Sequence, residues 1–481
     1  MEEKESNLIA SNVIVQTIGR VIVLALALIS VKLITNYLGP EGTGNYNTIV
    51  TYLSFFITFA DFGLFSIGVR EISKRPEDSK KILGNIFYIR FVSALVASVI
   101  ACLIAFNTGY SSEIKYGVAI ASIFLFFNLV SSVYDMLFQV HLEMGKVAIA
   151  EVISRALAVA TIVVATRLNL GFYVIVASVS FAAVINFLIK YLYSRKKLIF
   201  GPVYDSQTAK WILKLSIPLG IVFVVNNFYF KVDTLILFYY KGAGDVGIYS
   251  VAYRILETTI FIAAFLANSL KPLLSRDVIS DTARAARAAS RGFTILFFMS
   301  LPIVIAAIPF SREIIIFLSN SEFIGGAPIL VILSIASIFI YLNILLGEIM
   351  IAKDLRRYLI VVAIVTLLFN IAANIIFIPK YSYTAAAYIT MASELLLFIF
   401  GLSKVLSFIP LKFDFWRMNK ITVSALLAVF IGLIIKNSGL NFAIGILASF
   451  IFYGSLAYLI DAIPKLMISD YFYSIKRKWK N

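Results

Sequence analysis

Cysteine and histidine are almost missing from this chain of 481 residues: each occurs once, as Cys102 and His141. A single cysteine excludes an intrachain disulfide. One residue of each type also excludes a zinc site built from those ligands, and serine chemistry with a histidine base has only His141 to draw on. Charge is scarce as well. Charged residues make up 14% of the chain, against about 25% in soluble domains. Acids are the rarer sign, 26 against 42 Lys and Arg, for a net charge of +16. Such a surplus can mark a nucleic-acid partner. Here the bases are spread over short connections instead of forming one patch, and no nucleic-acid partner is expected. The opening "MEEKES" is net acidic, unlike the basic start of a cleaved signal peptide, so the first helix is expected to be retained.

Apolar residues fill the space that charge leaves. They form 61% of the chain, and the mean hydropathy is +0.94. A single core in water cannot bury that much apolar surface. The apolar runs are long enough for a hydrocarbon layer of about 30 Å, which takes roughly 20 helical residues. Fourteen such spans are expected, at 12–36, 46–69, 82–106, 116–140, 147–166, 171–193, 212–238, 248–271, 291–310, 326–351, 358–378, 385–405, 421–436 and 442–462. The fold class is therefore all-α and integral to the membrane. No connection is large enough to hold a soluble domain.

Basic residues set the orientation. With a cytoplasmic N-terminus most of the 42 Lys and Arg fall on the cytoplasmic face, and few lie near the other, Lys115 and Lys380 among them. Fourteen spans return the C-terminus to the cytoplasm. In the run "DTARAARAASR" the residues Arg284, Arg287 and Arg291 share a helical stripe; it fits anionic headgroups as well as it fits a solvated face.

The stretch "GAGDVG" at 242–247 has the G-x-G-x-x-G spacing of a dinucleotide fingerprint. That fingerprint needs a preceding strand and an acid about 20 residues on. Here it joins two expected membrane spans, so its glycines are read as turn residues. A slide of 203 residues lays "YLGPEGTGNY" (37–46) on "YKGAGDVGIY" (240–249), matching Gly39 with Gly242, Gly44 with Gly247 and Tyr46 with Tyr249. Each stretch follows the first span of a half. Six spans separate them, so the halves would share one orientation, an arrangement transporters use to place a site between two lobes.

The stretches "LITNYLGPEGTGNYN", "DFGLFSIGVREISKRPE" and "KVDTLILFYYKGAGDVGIYSVAYRILE", with the fourteen-span plan, resemble the Wzx-type polysaccharide flippases. That family shares a superfamily with the multidrug and toxin extruders and the lipid II flippase. The resemblance implies a V-shaped, MATE-like pair of six-helix lobes that rock between inward and outward openings. It divides the chain into an N-terminal lobe (1–195), a cytoplasmic connector (196–209), a C-terminal lobe (210–405) and two peripheral helices with a basic tail (406–481). In the lipid II flippase such a peripheral pair helps accommodate the lipid tail.

Charges inside the spans are the candidate binding groups. A Lys or Arg at mid-membrane costs roughly 2.5–3.5 kcal/mol on insertion scales, which a hydrated cavity relieves. Arg20, Arg90, Arg155, Lys231 and Arg254 lie within spans drawn from both halves. A cationic cavity suits an anionic cargo, and arginine can fork two donors onto phosphate oxygens. Glu151 and Arg155 are four apart, and Arg254 and Glu257 three apart, so each pair can equally serve helix packing. Lys231 sits two residues from Asp233, on a different face. Arg20 and Arg90 have no acid at helical spacing, and Asp61 and Glu348 have no partner that spacing can name. Lys32 is close enough to a span end to snorkel.

A second constellation concerns energy coupling. Asp233, the pair Asn370 and Asn374, and the pair Thr390 and Glu394 offer oxygen ligands or a titrating carboxylate in the second half. The resemblance adds that the lipid II flippase uses a cation site in the corresponding helices, which makes Na+ or H+ a candidate coupling ion; no cofactor is expected. Asn and Thr also hydrogen-bond between membrane helices without any ion.

Three functions are weighed. The first is flipping of an isoprenyl-pyrophosphate oligosaccharide from the cytoplasmic to the outer leaflet of the cell membrane, with polysaccharide-assembly enzymes as further partners. The second is cation-coupled export of small amphipathic drugs or toxins, for which an acidic cavity suits cationic cargo better. The third is a membrane glycosyltransferase or polymerase, and such enzymes commonly carry acids in a sizeable outer loop. The outer loops here are short with few acids. The expectation is a flippase and not an enzyme.

Overall fold

The computed structural model describes residues 2–195 and 203–462. The described residues form thirteen α-helices and two short 3-10 turns, with no strand. The helices are α1 (Glu2–Asp61), α2 (Leu64–Lys74), α3 (Ser79–Asn107), α4 (Ser112–Val140), α5 (Met144–Arg167), α6 (Phe172–Ser194) and α7 (Ser206–Lys241). They continue as α8 (Ala243–Ser280), α9 (Thr282–Leu318), α10 (Gly326–Ala352), α11 (Arg356–Leu406), α12 (Phe415–Asn437) and α13 (Phe442–Leu459). Among the described residues, twelve helical stretches are long and apolar enough to cross a membrane.

Two of these are too long for one crossing. Helix α1 has 60 residues, about 90 Å at 1.5 Å per residue, or roughly three hydrocarbon thicknesses. It is interrupted at Gly39 (φ 63, ψ −173), with Pro40 next in sequence. Helix α11 has 51 residues and is interrupted at Ser382 (φ 53, ψ −140), three residues after Pro379. Proline removes a helical N–H and clashes with the preceding turn. Both interruptions fall between neighbouring expected spans.

The "GAGDVG" stretch is no strand–turn–helix unit. Helix α7 precedes it, Gly242 caps that helix at φ 82, ψ −174, and α8 begins at the next residue. Gly242 thus shares with Gly39 a backbone region open essentially to glycine alone. Gly44 and Gly247 do something other than turn the chain. Both lie inside helices, and a Cβ on Gly44 would sit 1.7 Å from the Ala243 carbonyl oxygen, while one on Gly247 would sit 2.0 Å from that of Pro40. Their missing side chains let two backbones touch.

The described residues pack as two compact units, those within 1–250 together with 318–322, and those within 251–317 together with 323–481. In the first, α4 packs against α1, α3 and α6, and α5 against α1 and α6. Its core joins Ile49, Leu53, Val118 and Leu125 to Ala94, Ala101 and Ala105 of α3; the alanines admit close helix approach, as small residues do in membranes. The opposite face of α3 exposes Phe91, Leu95, Val99 and Leu103 at four-residue spacing. A row of that kind is unsuited to water and suited to hydrocarbon.

In the second unit α10 packs along α11, and Phe293, Leu296, Tyr341, Leu345 and Ile349 fill the core. The buried Tyr341 hydroxyl donates to the Thr259 carbonyl at 2.8 Å, which removes the cost of an unpaired polar group. Helices α12 and α13 pack on each other and on α9 through Leu301, Ile305, Ala425, Ala428 and Tyr453. Tyr453 stacks on Phe298 at 4.7 Å. Their outer faces, with Leu426, Phe430, Leu447 and Ile451, are exposed.

Candidate functional site

The first unit gathers charge inside its helices. Arg90, on α3, is completely buried. Its Nη2 pairs with Asp61 Oδ1, and its Nη1 donates to the Leu129 carbonyl at 3.1 Å. Asp61 is the last residue of α1, where Phe62 (φ 39) and Gly63 (φ 81) break the helix, and its Oδ2 accepts from Gly63 N at 3.3 Å. The break thus presents the carboxylate to Arg90. Arg90 Nε is buried with no hydrogen-bond partner among the described residues.

A second pair stands beside the first. Lys190 of α6, nearly buried, meets Asp135 of α4 at 2.7 Å, and Arg90 feels the charge of both Asp61 and Asp135. Glu151 of α5 lies within electrostatic reach of Lys190, Asp135, Arg20 and Arg155. The cluster holds four bases (Arg20, Arg90, Arg155, Lys190) and three acids (Asp61, Asp135, Glu151), an excess of one positive charge.

Helix positions give the level along the axis. Glu151 and Arg155 lie about two to three turns from the start of α5, Arg90 about three turns from the start of α3, and Asp135 and Lys190 about one turn from the ends of α4 and α6. Since alternate helices run in opposite directions, these positions lie toward the same end of the helices, roughly 5–17 Å along the axis from the helix termini at 1.5 Å per residue. Arg20 and Arg155 are exposed residues, and an exposed arginine within an apolar helix is tolerated where water reaches it.

Three of the five sequence-predicted binding residues therefore come together: Arg20, Arg90 and Arg155. Lys231, also in the first unit, lies within electrostatic reach of Asp233. Arg254 belongs to the second unit and pairs with Glu257 at 3.0 Å, the packing alternative its spacing allowed. Glu348 meets Lys271 at 3.1 Å. The expected snorkelling of Lys32 ends on a backbone oxygen, the Ser319 carbonyl at 2.7 Å.

Four of the coupling candidates lie in the second unit. Asn374 Nδ2 donates to Asn370 Oδ1 at 2.9 Å, and Asn370 Nδ2 donates to Ser393 Oγ at 3.1 Å. Glu394 accepts from Asn343 Nδ2 at 2.8 Å. Thr390 donates its hydroxyl to the Ala386 carbonyl at 2.9 Å and keeps its oxygen lone pairs. The Oδ1 atoms of Asn343 and Asn374 are buried with no hydrogen-bond donor among the described residues. Glu394 is a buried carboxylate in contact with Asn343, and the amide oxygens of Asn343 and Asn374 are unsatisfied; hard oxygen donors of this kind suit Na+, and Glu394 suits a proton. Asp233 stands apart in the first unit. Its carboxylate accepts from the Tyr249 hydroxyl at 2.6 Å and from Thr234 N at 2.7 Å.

Sequence reading missed Lys190, Asp135, Asn343 and Ser393. Lys190 lies inside the expected sixth span but near its end, where a base is ordinary. Asp135 gave a signal, an acid within an expected span of a chain poor in acids. Asn343 and Ser393 are short polar residues in apolar helices, and only packing reveals their partners.

Apolar helices of membrane length, with paired charges within them, define a multi-pass membrane protein of the transporter kind. The chain belongs to the polysaccharide biosynthesis protein family, which it matches over residues 9–277, more than half of its length. Residues 218–376 also match the MatE family. Among curated proteins it is similar to the "Probable low-salt glycan biosynthesis flippase Agl15" of Haloferax volcanii, 24% identical over 237 residues, 48% of this chain. The chain spans about half of that relative, 49% of its length. Its fold is that of the lipid II flippase MurJ, solved in an inward closed conformation, with a TM-score of 0.78 at 18% identity over 93% of this chain and 98% of the other. An inward-facing multidrug resistance MATE transporter of the MOP superfamily follows, with a TM-score of 0.65 at 14% identity over 82% and 98% of the two chains.

Proposed function

We propose that this protein moves an isoprenyl-pyrophosphate oligosaccharide from the cytoplasmic to the outer leaflet by alternating access. The cluster of Arg20, Arg90, Arg155 and Lys190 carries this reading. It holds more base than acid within the apolar helices, and two of its arginines, Arg20 and Arg155, are exposed residues. Arg90 and Lys190 are held by Asp61 and Asp135 and keep the cluster in place, while Arg20 and Arg155 meet the cargo with donors suited to phosphate oxygens. Likeness to a glycan flippase and to a lipid II flippase supports the same cargo class.

In this reading α1 and α11 each supply two crossings at Gly39 and Ser382, for fourteen spans in two six-helix lobes with α12 and α13 peripheral. Both termini face the cytoplasm. Glu394, Asn343 and Asn374 hold Na+, or Glu394 carries a proton, and the gradient drives the cycle. Export of cationic drugs fits the cluster less well, because its surplus is positive.

The test is reconstitution into liposomes with a fluorescent isoprenyl-pyrophosphate oligosaccharide in one leaflet, with and without an imposed proton or sodium gradient. Protein-dependent transfer that falls at least tenfold in R20A/R155A, at unchanged membrane abundance, is the expected result. No transfer across several glycans and both gradients would overturn the reading in favour of drug export.

A further inference from the structure

The cluster and the oxygen set leave unused a basic pocket in the second unit. A cavity of about 520 Å³ opens between the first turns of α9 and the segment leading into α12. Arg287 and Arg291, one helical turn apart on α9, line one wall; Lys412 and Arg417 line the other. Asp414 is the single acid of the lining, and it lies 3.6 Å from Arg417. It also caps α12 by accepting from Arg417 N at 2.9 Å. Among the described residues no carboxylate pairs with Arg287, Arg291 or Lys412. Four bases thus face one pocket with a single acid, Asp414, among the described residues of its lining.

The pocket is held in shape. Lys412 N donates to Ser290 Oγ at 3.2 Å, and Phe413 packs edge-on against Phe293 at 4.9 Å, tying the segment to α9. Ala283, Ala286 and Pro410 give it apolar wall. Its depth is fixed by the neighbouring residues Phe415 and Trp416, 74% and 70% exposed. Exposed aromatics where a membrane helix begins belong to the headgroup layer. Bases in that layer gain about 1 kcal/mol each from anionic lipid. A flat solvated face would show the bases but not the concave volume with apolar wall.

We propose that this pocket binds the phosphate headgroup of an anionic glycerophospholipid of the surrounding bilayer. Arg287 and Arg291 take the phosphate oxygens, Lys412 and Arg417 close the opposite side, and the apolar wall receives the glycerol backbone. The site stands whether or not the protein is a flippase.

The experiment is native mass spectrometry of the full chain, released from detergent and titrated separately with phosphatidylglycerol, phosphatidylcholine, a short isoprenyl pyrophosphate and sodium pyrophosphate. Phosphatidylglycerol should be retained over phosphatidylcholine. Its affinity should fall about tenfold or more in R287Q/R291Q and also in K412Q, and should be unchanged in K353Q, an exposed base elsewhere on the same unit. Circular dichroism melts matching the parent chain keep a misfolded variant from counting. Equal phosphatidylglycerol binding by the parent chain and R287Q/R291Q would overturn the proposal. So would displacement by sodium pyrophosphate, which marks a free-anion site, or tighter variant-sensitive binding of the isoprenyl pyrophosphate, which marks a cargo site.

Discussion

Asn47 Nδ2 donates to Ser250 Oγ at 2.9 Å across 203 residues of sequence. The same offset carries Gly39 onto Gly242 and Gly44 onto Gly247, so the bonded residues are equivalent positions of the two halves. Around them Gly44 touches Ala243 and Gly247 touches Pro40. Pro40 and Ala243 are themselves equivalents, which makes the contact reciprocal in the way of a twofold interface. Two short stretches that looked like a weak repeat are a self-complementary joint.

If the proposed cycle is right, this joint parts during transport. N47C/S250C, in a C102S background that leaves no other thiol, should form a disulfide under mild oxidation and stop translocation, and a reductant should restore it. Translocation at the parent rate with the disulfide formed would show that the joint stays closed throughout the cycle.

The glycines of the joint differ in what they tolerate. A methyl group on Gly44 or Gly247 meets a carbonyl oxygen, whereas one on Gly244 meets nothing within 4 Å. Overpacking costs about 1–3 kcal/mol, and alanine is the better helix former by about 1 kcal/mol. G44A and G247A should therefore lower the melting temperature in detergent, while G244A should hold or raise it. Equal melting of all three would mean the backbones do not touch.

Much of this architecture is legible in the sequence because hydropathy and turn chemistry are local. Twelve membrane-length stretches, the break at Gly39 and Pro40, and the positive φ at Gly242 follow from residues within a few positions of each other. The partners of the charges are not local. Arg90 has no acid at helical spacing because its acid is Asp61, on a different helix, held there by the break at Phe62 and Gly63. Arg254 is the opposite case, its partner Glu257 being three residues away and readable at once. The glycine spacing of "GAGDVG" misleads as a fingerprint because it serves two separate needs, a local one, the cap at Gly242, and a distant one, the close contact of Gly247 with Pro40.

Arg90 and Asp61 should behave as a pair. Removing one partner of a buried ion pair costs about 3–5 kcal/mol, since it leaves the other charge uncompensated, whereas replacing both is often neutral. R90A should reduce membrane abundance, and R90M/D61N should recover most of it. A protein that keeps full abundance with R90A alone but loses translocation would move Arg90 from holding the cluster to touching cargo. Measuring abundance and translocation on the same three proteins separates the outcomes.

The last prediction concerns the start of α7, outside the membrane spans. Asp205 caps that helix: it accepts from the Thr208 hydroxyl and from Thr208 N at 3.1 Å, and it meets Lys81 of α3 at 3.0 Å. Its own N donates to Asn85 Oδ1 at 2.8 Å. The Thr208 hydroxyl first, then Lys81, hold its carboxyl down at about 2 from the usual 3.8. A depressed folded-state value means the ionised form is the one that supports the fold. Its contribution is complete above the unfolded value near 3.8 and is lost as pH falls through about 2. D205N keeps a capping oxygen but cannot titrate. Amide exchange in the first turn of α7 should therefore accelerate in the parent chain, relative to D205N, between about pH 4 and pH 2. Parallel curves for the two proteins through that window would show that the Asp205 carboxylate does not secure the end of α7 to α3.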